Sequence, residues 1–284
     1  MKTSILFSAV AALLTMTACS GKKETAEQKI SIFFEHIEAI AQQEGISFRE
    51  AAQVVHALGY RGVDMRYDTD PAIMDLLDSL GFEHSCLITY LDYRPENLAQ
   101  TKEAEERTLS VMREREYERV LLVPLPLAPE TAPEIIEDII SHLADFSVRL
   151  KEAGFEAFLE DFDNPRSLCY NTASLDRLFT ACPDLGLAYD SGNFFFCGED
   201  EIEALDHFLP RIGHVHLKDR RSAEDLSCPA VGSGAVQIEA IVRKLIASGY
   251  DGWYTMEFFG SKQMLEDAKQ SIAFFREIEN TIEN

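Results

Sequence analysis

The chain has 284 residues, of which 46% are hydrophobic and 10% aromatic, and its 49 acidic and 26 basic side chains give a formal charge of -23. This length and apolar content support a sizeable hydrophobic core and exclude a disordered or collagen-like chain. The acidic residues are spread along the sequence and leave no basic surface for phosphate backbones. Nucleic acid is therefore not an expected partner.

The N-terminal residues predict an export signal. Lys2 precedes an apolar run over residues 5–14, which is too short to span a bilayer and is typical of a secretory signal. Residues 16–19 read MTAC and resemble the lipobox of bacterial lipoproteins, whose cysteine is lipidated. We predict a signal peptide over 1–18, a lipidated Cys19 and polar tether over 19–29, and one domain over 30–284. An ordinary cleaved signal with an incidental cysteine is the alternative.

Downstream of the tether, short apolar and β-branched runs alternate with amphipathic stretches of helical spacing. Strands are predicted over residues 29–36, 62–67, 82–91, 119–125, 155–161, 185–191, 213–218 and 252–258. Helices are predicted after the capping box SFRE at 47–50, after Asp70-Pro71, and over residues 95–117, 133–153, 172–181, 198–209, 237–248 and 261–279.

Eight strand–helix units without an intervening linker predict one (β/α)₈ barrel, an α/β fold of the TIM type. A doubly wound open sheet is the alternative. That fold usually carries a glycine-rich dinucleotide turn after its first strand, and the sequence has none there.

Four polar side chains stand at the ends of predicted strands five to eight: Glu160, Asp190, His216 and Glu257. The C-terminal ends of barrel strands converge on one mouth, so residues far apart in sequence become neighbours there. Three carboxylates and one imidazole would repel or desolvate one another without a cation. Oxygen ligands with one nitrogen suit Mn²⁺ or Mg²⁺, with Co²⁺ or Zn²⁺ as substitutes. An acid at the end of a single strand is usually a solvated loop charge or a helix cap, so it is the four residues taken together that favour a metal site.

Three segments near the C-terminus resemble one known family. Residues 214–219 read HVHLKD, residues 231–234 read VGSG, and residues 248–257 read SGYDGWYTME. In this order they are similar to the last two strands of xylose isomerase-like barrels in the sugar phosphate isomerase/epimerase superfamily. That superfamily includes ketose 3-epimerases, hydroxypyruvate isomerases, inosose dehydratases and abasic-site endonucleases. The resemblance covers about residues 30–278 and implies a metal at Glu160, Asp190, His216 and Glu257.

The resemblance also implies roles for the two glutamates. Glu160 and Glu257 would face each other across the substrate, one removing a proton and the other returning it, while Asp190 and His216 mainly hold the metal. Family members often carry a histidine two residues after the first glutamate and another three after the aspartate. This chain has Phe162 and Asn193 there, which counts against a multi-zinc endonuclease.

Three further residues are candidates for binding substrate oxygens. Lys218 and Arg220 follow the seventh predicted strand, and Asn193 stands where family members often have a histidine. Solvated loop charges, and for Asn193 a turn residue after Gly192, are the alternatives.

The predicted function is metal-dependent isomerisation or epimerisation of a sugar or keto-sugar outside the cytoplasm. A divalent metal stabilises the enediolate formed when a C–H next to a carbonyl is deprotonated, and related lyases use the same step. The alternatives are a non-catalytic glycan-binding lipoprotein and, third, a metal-dependent hydrolase or endonuclease. The expected partner is a small sugar, and the membrane is contacted only through the N-terminal lipid, on the periplasmic or outer-membrane side. The sequence leaves the sugar and homo-oligomer formation open.

Replacing Cys19 tests the lipoprotein prediction. Cells grown with labelled palmitate should incorporate the label into the wild-type protein, which should fractionate with membranes, and Cys19→Ser should lose both properties because the acylated thiol is gone. A wild-type protein that is unlabelled and free of membranes would leave only an ordinary secretory signal.

Overall fold

A computed structural model describes residues 28–282. Within this range the chain forms a closed barrel of eight parallel strands in chain order, which confirms the predicted (β/α)₈ fold. The strands are β1 Lys29–Phe33, β2 Gly62–Arg66, β3 Glu83–Leu91, β4 Arg119–Pro124, β5 Glu156–Glu160, β6 Gly186–Asp190, β7 Ile212–Lys218 and β8 Trp253–Glu257. The helices are α1 Phe34–Glu44, α2 Phe48–Leu58, α3 Pro71–Ser79, α4 Leu98–Glu114, α5 Pro133–Glu152, α6 Thr172–Ala181, α7 Ser191–Cys197, α8 Glu201–Phe208, α9 Ile238–Ser248 and α10 Met264–Ile282.

The predicted signal peptide, Cys19 and tether residues 19–27 lie outside the described residues. The first strand begins at Lys29, the last residue of the predicted tether. Among the described helices, none is long and apolar enough to cross a membrane.

The first strand is shorter than predicted because helix α1 begins directly after it. The prediction continued the strand to residue 36, but Phe33 is already the residue before the helix, and its side chain makes no capping hydrogen bond. Without a polar cap, the apolar run of β1 continues into the buried Ile37 and Ile40 of α1. The local sequence therefore does not mark the residue at which the strand ends and the helix begins.

A second unpredicted helix, α7, follows β6. Asp190 caps it by accepting hydrogen bonds from the backbone N–H groups of Gly192 and Asn193, at 2.8 and 2.9 Å. Asp200 then caps α8 in the same way, so the single helix predicted over residues 198–209 begins later, at Glu201.

The barrel interior holds a small apolar cluster separate from the larger core between strands and helices. Its buried members are Phe33, Cys86, Ile88, Leu121, Val123, Phe158 and Ala188. Next to it lies a polar layer of fully buried side chains, Ser31, Asp64, Ser85, His214 and Thr255. Barrel interiors are usually filled by branched aliphatic residues, so a polar layer here needs internal hydrogen bonds to be tolerated.

Gly213 makes room for an aromatic ring in this interior. The pairing of β6 with β7 shifts register between Leu187 and Ala188, so that Gly213 is the extra residue of a bulge. A Cβ atom on Gly213 would lie 2.3 Å from Cε1 of Phe158 and 2.7 Å from its Cζ. Only a residue without a side chain fits beside that ring.

Gly213→Ala should lower the free energy of unfolding by about 1–3 kcal/mol, because the added methyl overpacks the Phe158 ring. Denaturant unfolding measures this loss. The control is the double variant Gly213→Ala/Phe158→Leu, in which the clash is relieved and the two effects should be less than additive. Strict additivity in this cycle would contradict the assigned clash.

Candidate metal centre at the barrel mouth

The four predicted ligands converge at the C-terminal mouth of the barrel. Glu160, Asp190 and Glu257 are the last residues of β5, β6 and β8, and His216 lies two residues before the end of β7. One ligand atom from each of the four lies within 4.8 Å of the others. Strand register contributes to this, because Asp190 pairs with His216 across β6 and β7.

The side chains of this group are fixed by one another and by the backbone. His216 Nδ1 lies 2.5 Å from Oε1 of Glu160 and 3.8 Å from Oε2 of Glu257. Oδ1 of Asp190 is held by the N–H groups that begin α7, which leaves Oδ2 directed away from the helix. That Oδ2 is buried and has no hydrogen-bond partner within residues 28–282.

Lys218 brings a positive charge into the same group. Its Nζ contacts Oε1 of Glu257, and it lies 3.5 Å from Oδ2 of Asp190 and 3.8 Å from Oδ2 of Asp163. The pairing of Lys218 with Glu257 across β7 and β8 places them side by side. Lys218 thus neutralises part of the negative charge of this site.

The pKa values reflect this crowding of buried charges. Burial lowers the pKa of His216, but Glu160 and Asp64 outweigh it and hold that pKa well above its usual range. Burial raises the pKa of Asp190 to about 6, although the nearby Lys218 ammonium opposes the shift. Lys218 keeps a pKa well above normal because Asp190 and Glu257 outweigh the effect of burial.

A cavity of about 970 Å³ opens over this group. Glu160 and Glu257 line the cavity, whereas Asp190 and His216 are fully buried and are not part of its lining. Aromatic side chains contribute an apolar wall, namely Phe33, Tyr90, Phe162 and Phe259. Two glutamates therefore face the space that a ligand would occupy, and the other two groups support them from the protein side.

Asn193, Lys218 and Arg220, predicted to bind substrate, also line the cavity, but their polar groups are already engaged. The amide of Asn193 donates to the carbonyl of Asp161 at 2.7 Å and accepts from Lys218 Nζ and from Arg220, each at 3.1 Å. The Arg220 guanidinium also bonds Asp163 at 2.7 Å. Asn193 and Arg220 thus hold Lys218 and the rim of the cavity in place.

Two buried polar residues near the site, Asp219 after β7 and His36 in α1, make hydrogen bonds with the backbone. Asp219 accepts hydrogen bonds from the N–H groups of Gly232, Gly234 and Val236, and so joins the HVHLKD and VGSG segments. His36 Nε2 accepts from the N–H of Phe258 at 2.9 Å, and burial lowers the pKa of His36 to about 3. Neither residue is part of the cavity lining, so both support the loops and strands around the mouth from the protein side.

Asp64 and His214, which were not predicted as site residues, lie directly below the site. Asp64 Oδ2 is 2.8 Å from Nε2 of His214 and 3.1 Å from Nε2 of His216. A signal was present, because His214 precedes His216 by two residues and so shares its face of β7. Asp64 itself lies inside β2, where a buried carboxylate between Val63 and Met65 is unexpected unless it is paired.

The sequence model of one protein family, described as a xylose isomerase-like TIM barrel, matches residues 25–278. The chain belongs to this family. Its four clustered side chains therefore lie in a barrel of the type that the sequence resemblance implied.

Curated relatives match over a shorter stretch. An inosose dehydratase from Geobacillus thermodenitrificans is 35% identical over 104 residues, and one from Lacticaseibacillus casei is 33% identical over 104 residues. Each match covers 30% of this chain and 35% of the relative. The chain thus matches about a third of the length of these curated relatives.

Solved structures share the fold over most of the chain. The probable 3-DHS dehydratase AsbF from Bacillus anthracis has a TM-score of 0.74 at 16% identity and covers 88% of this chain and 99% of its own. An L-ribulose 3-epimerase has a TM-score of 0.71 at 19% identity, and the match covers 90% of this chain and 95% of the epimerase. A xylose isomerase-like TIM barrel protein from Mycobacterium smegmatis, solved in complex with magnesium, has a TM-score of 0.65 at 15% identity. This match covers 84% of this chain and 89% of that protein. At these identities the likeness shows the fold alone.

The donor set fits a divalent cation. Three carboxylates and one imidazole nitrogen are the ligand types that Mn²⁺ and Mg²⁺ accept, with Co²⁺ and Zn²⁺ as substitutes. The buried Oδ2 of Asp190, which lacks a hydrogen bond among the described residues, is the atom that such an ion would satisfy. The residues could therefore hold one metal ion at the base of the cavity.

Calorimetry should show about one equivalent of Mn²⁺ bound, with an affinity that rises as the pH increases through about 6, the pKa of Asp190, and continues to rise as His216 loses its proton. The sign follows from the raised pKa values of His216 and Asp190, which hold protons that a metal must displace. His216→Ala and Asp190→Ala should abolish or greatly weaken binding. His84→Ala serves as the control because that histidine pairs with Asp78 near the start of β3. Unchanged affinity in both site variants would exclude this site.

Proposed function

We propose that the protein is a metal-dependent isomerase or epimerase that moves a proton on the carbon next to the carbonyl of a neutral sugar or keto-sugar. One observation carries the proposal: Glu160 and Glu257 line the cavity from strands three apart in the ring, while Asp190 and His216 lie buried beside them. Carboxylates from strands that are not adjacent can reach a bound substrate from different sides.

Glu160, Asp190, His216 and Glu257 would hold the ion. A divalent ion bound there would supply a Lewis acid that polarises a carbonyl and stabilises the negative charge that develops beside it. The buried positions of Asp190 and His216 suit them to a holding role, because burial restricts both side chains and excludes competing water.

The two glutamates would carry the proton. Oε1 of Glu160 is bonded to His216, and Oε1 of Glu257 is bonded to Lys218, so each carboxylate has a fixed orientation. One glutamate removes the proton and the other returns it, which gives an epimer when return occurs at the opposite face of the same carbon. Return to the neighbouring carbon gives an isomer. General acid–base catalysis of this kind typically contributes about 10²–10⁴-fold to the rate.

The cavity walls support a neutral sugar as the substrate class. The aromatic lining, which includes Tyr90 and Phe162, suits the apolar face of a sugar ring, and polar side chains such as Glu160 and Lys218 line the same cavity. Three of the four basic residues that line the cavity, Lys218, Arg220 and Arg221, pair with carboxylates, and within residues 28–282 only Lys262 of this lining lacks an ion pair, so little positive charge is left for a phosphate group. Lys218 would contact substrate hydroxyl groups once a ligand enters, while Asn193, whose amide is already hydrogen-bonded, would keep the Lys218 ammonium in place.

Dehydration is a second candidate reaction. It is favoured by the local similarity to inosose dehydratases and by the ammonium of Lys218, which lies in the cavity and can donate a proton to a leaving hydroxyl. Removal of the first proton is common to both reactions. Loss of water from the product, measured by mass, separates dehydration from isomerisation or epimerisation.

The proposed place of action is outside the cytoplasm, with Cys19 as the lipid anchor. The apolar run over residues 5–14 and the MTAC segment support this part of the proposal. A free sugar is the expected substrate there, which agrees with a cavity that lacks an unpaired cationic cluster among the described residues.

Glu160→Gln and Glu257→Gln should each lower turnover by at least about 10²-fold on a keto-sugar found by proton exchange in D₂O with Mn²⁺ present. Each amide keeps the shape of the side chain but removes the base. With one glutamate disabled, the other should still exchange the substrate proton from its own face without completing epimerisation. Nuclear magnetic resonance of the substrate follows both events.

Glu156→Gln is the matched control, because Glu156 is exposed at the opposite end of β5. It should retain wild-type turnover. If both site variants turned over the substrate at wild-type rates, the two-glutamate mechanism would be wrong. If the metal-loaded wild type bound sugars but exchanged no proton in any of them, the proposed enzymatic function would be wrong, and a non-catalytic glycan-binding protein would be the better interpretation.

A further inference from the structure

Asp64 forms the centre of the buried polar layer beneath the proposed metal site. Its Oδ2 lies 2.8 Å from Nε2 of His214, 3.1 Å from Nε2 of His216 and 3.1 Å from Oγ1 of Thr255. Its Oδ1 accepts a hydrogen bond from Ser85 at 2.5 Å. The whole residue is inaccessible to solvent. A buried carboxylate is costly unless it is fully paired, and here strands β3, β7 and β8 supply its partners.

These contacts distinguish the two nitrogens of the His216 ring. Nε2 is directed into the barrel toward Asp64, whereas Nδ1 is directed toward Glu160 and Glu257 at the mouth. A carboxylate accepts a hydrogen bond and cannot donate one when it is ionised, so Nε2 must carry the proton. Nδ1 also faces a carboxylate, Glu160 at 2.5 Å, but it lies among the proposed ligands, so its proton is the one that an ion at the mouth would displace, and Nδ1 then offers the lone pair.

Packing keeps the ring in this orientation. Phe33 meets the His216 ring edge-on with a centroid distance of 4.8 Å, and the His214 ring meets it at 5.1 Å. A rotated His216 ring would take its Nε2 hydrogen away from Asp64 and leave a buried charge underpaired.

We propose that Asp64 is a positioning residue that holds the proton of His216 on Nε2 and so presents Nδ1 to the metal. This inference rests on the proposed metal site. In metal proteins a histidine ligand that donates its second N–H to a carboxylate is oriented and made more basic by it, and loss of that partner typically costs about 10–100-fold in metal affinity.

The wild-type protein offers the first test, which needs no variant. In protein labelled with ¹⁵N-histidine and loaded with Mg²⁺ or Zn²⁺, the His216 resonances should show a protonated Nε2 and a metal-bound Nδ1. Metal bound at Nε2, or a proton on Nδ1 in the loaded protein, would overturn the proposal.

The second test is Asp64→Asn, which keeps the size of the side chain and removes its charge. Calorimetry should show Mn²⁺ affinity lowered by about 10–100-fold, with a larger loss in Asp64→Ala. The matched control is Asp78→Asn, because Asp78 also pairs with a histidine, His84 at 2.7 Å, near the start of β3. That variant should bind Mn²⁺ as the wild type does. Wild-type affinity in a folded Asp64→Asn protein would refute the positioning role.

The metal-free protein separates this inference from the proposed function. The Nε2 proton of His216 should exchange slowly and resonate at low field in the wild type, and Asp64→Asn should lose both features whether or not metal binds. Loss of these features supports the positioning role even if the wild type binds no metal and the proposed function fails. An unchanged Nε2 proton in Asp64→Asn would overturn the inference while leaving the metal site intact.

Discussion

The concentration of buried negative charge at the mouth of the barrel is the constraint on which the site depends. Glu160, Asp190 and Glu257 meet there because parallel strands in a closed ring bring their C-terminal ends together. Carboxylates so close cannot all stay ionised without compensation. His216 and Lys218 supply it, and the raised pKa values of both groups reflect that attraction after the opposing effect of burial.

Pairing of buried acidic and basic side chains extends from the site into the barrel interior and outward to the rim of the cavity. Inside, Asp64 pairs with both histidines of β7, so a layer that aliphatic side chains normally fill is polar and hydrogen-bonded. Toward the rim, Asp163 pairs with Arg220 and lies near Lys218. Acidic and basic side chains thus alternate from the barrel interior to the cavity, and replacing one partner leaves its neighbour buried and underpaired.

The two departures from the family pattern have physical counterparts in the cavity. Asn193 has an amide where many family members have an ionisable histidine ring. Its NH₂ group donates to the Asp161 carbonyl and its carbonyl oxygen accepts from Lys218. Phe162 adds an apolar surface to the cavity wall where a histidine would have added a polar one. Together they make the upper part of the site less polar and leave the proposed chemistry to the glutamates below.

The sequence by itself determined the fold and the four clustered side chains. Strand and helix periods alternate clearly from β2 to α10, and a polar residue at the end of each of four apolar strands can be recognised without knowing its partners. The sequence does not mark the start of α1, because an apolar run without a helical period crosses that junction, and it does not mark α7, because seven residues are too few to show a helical period. Asp64 became visible only in the folded barrel, since its partner His214 is 150 residues away along the chain. Sequence patterns encode local periodicity, whereas the pairing of buried charges is decided by which strands the closed barrel brings face to face.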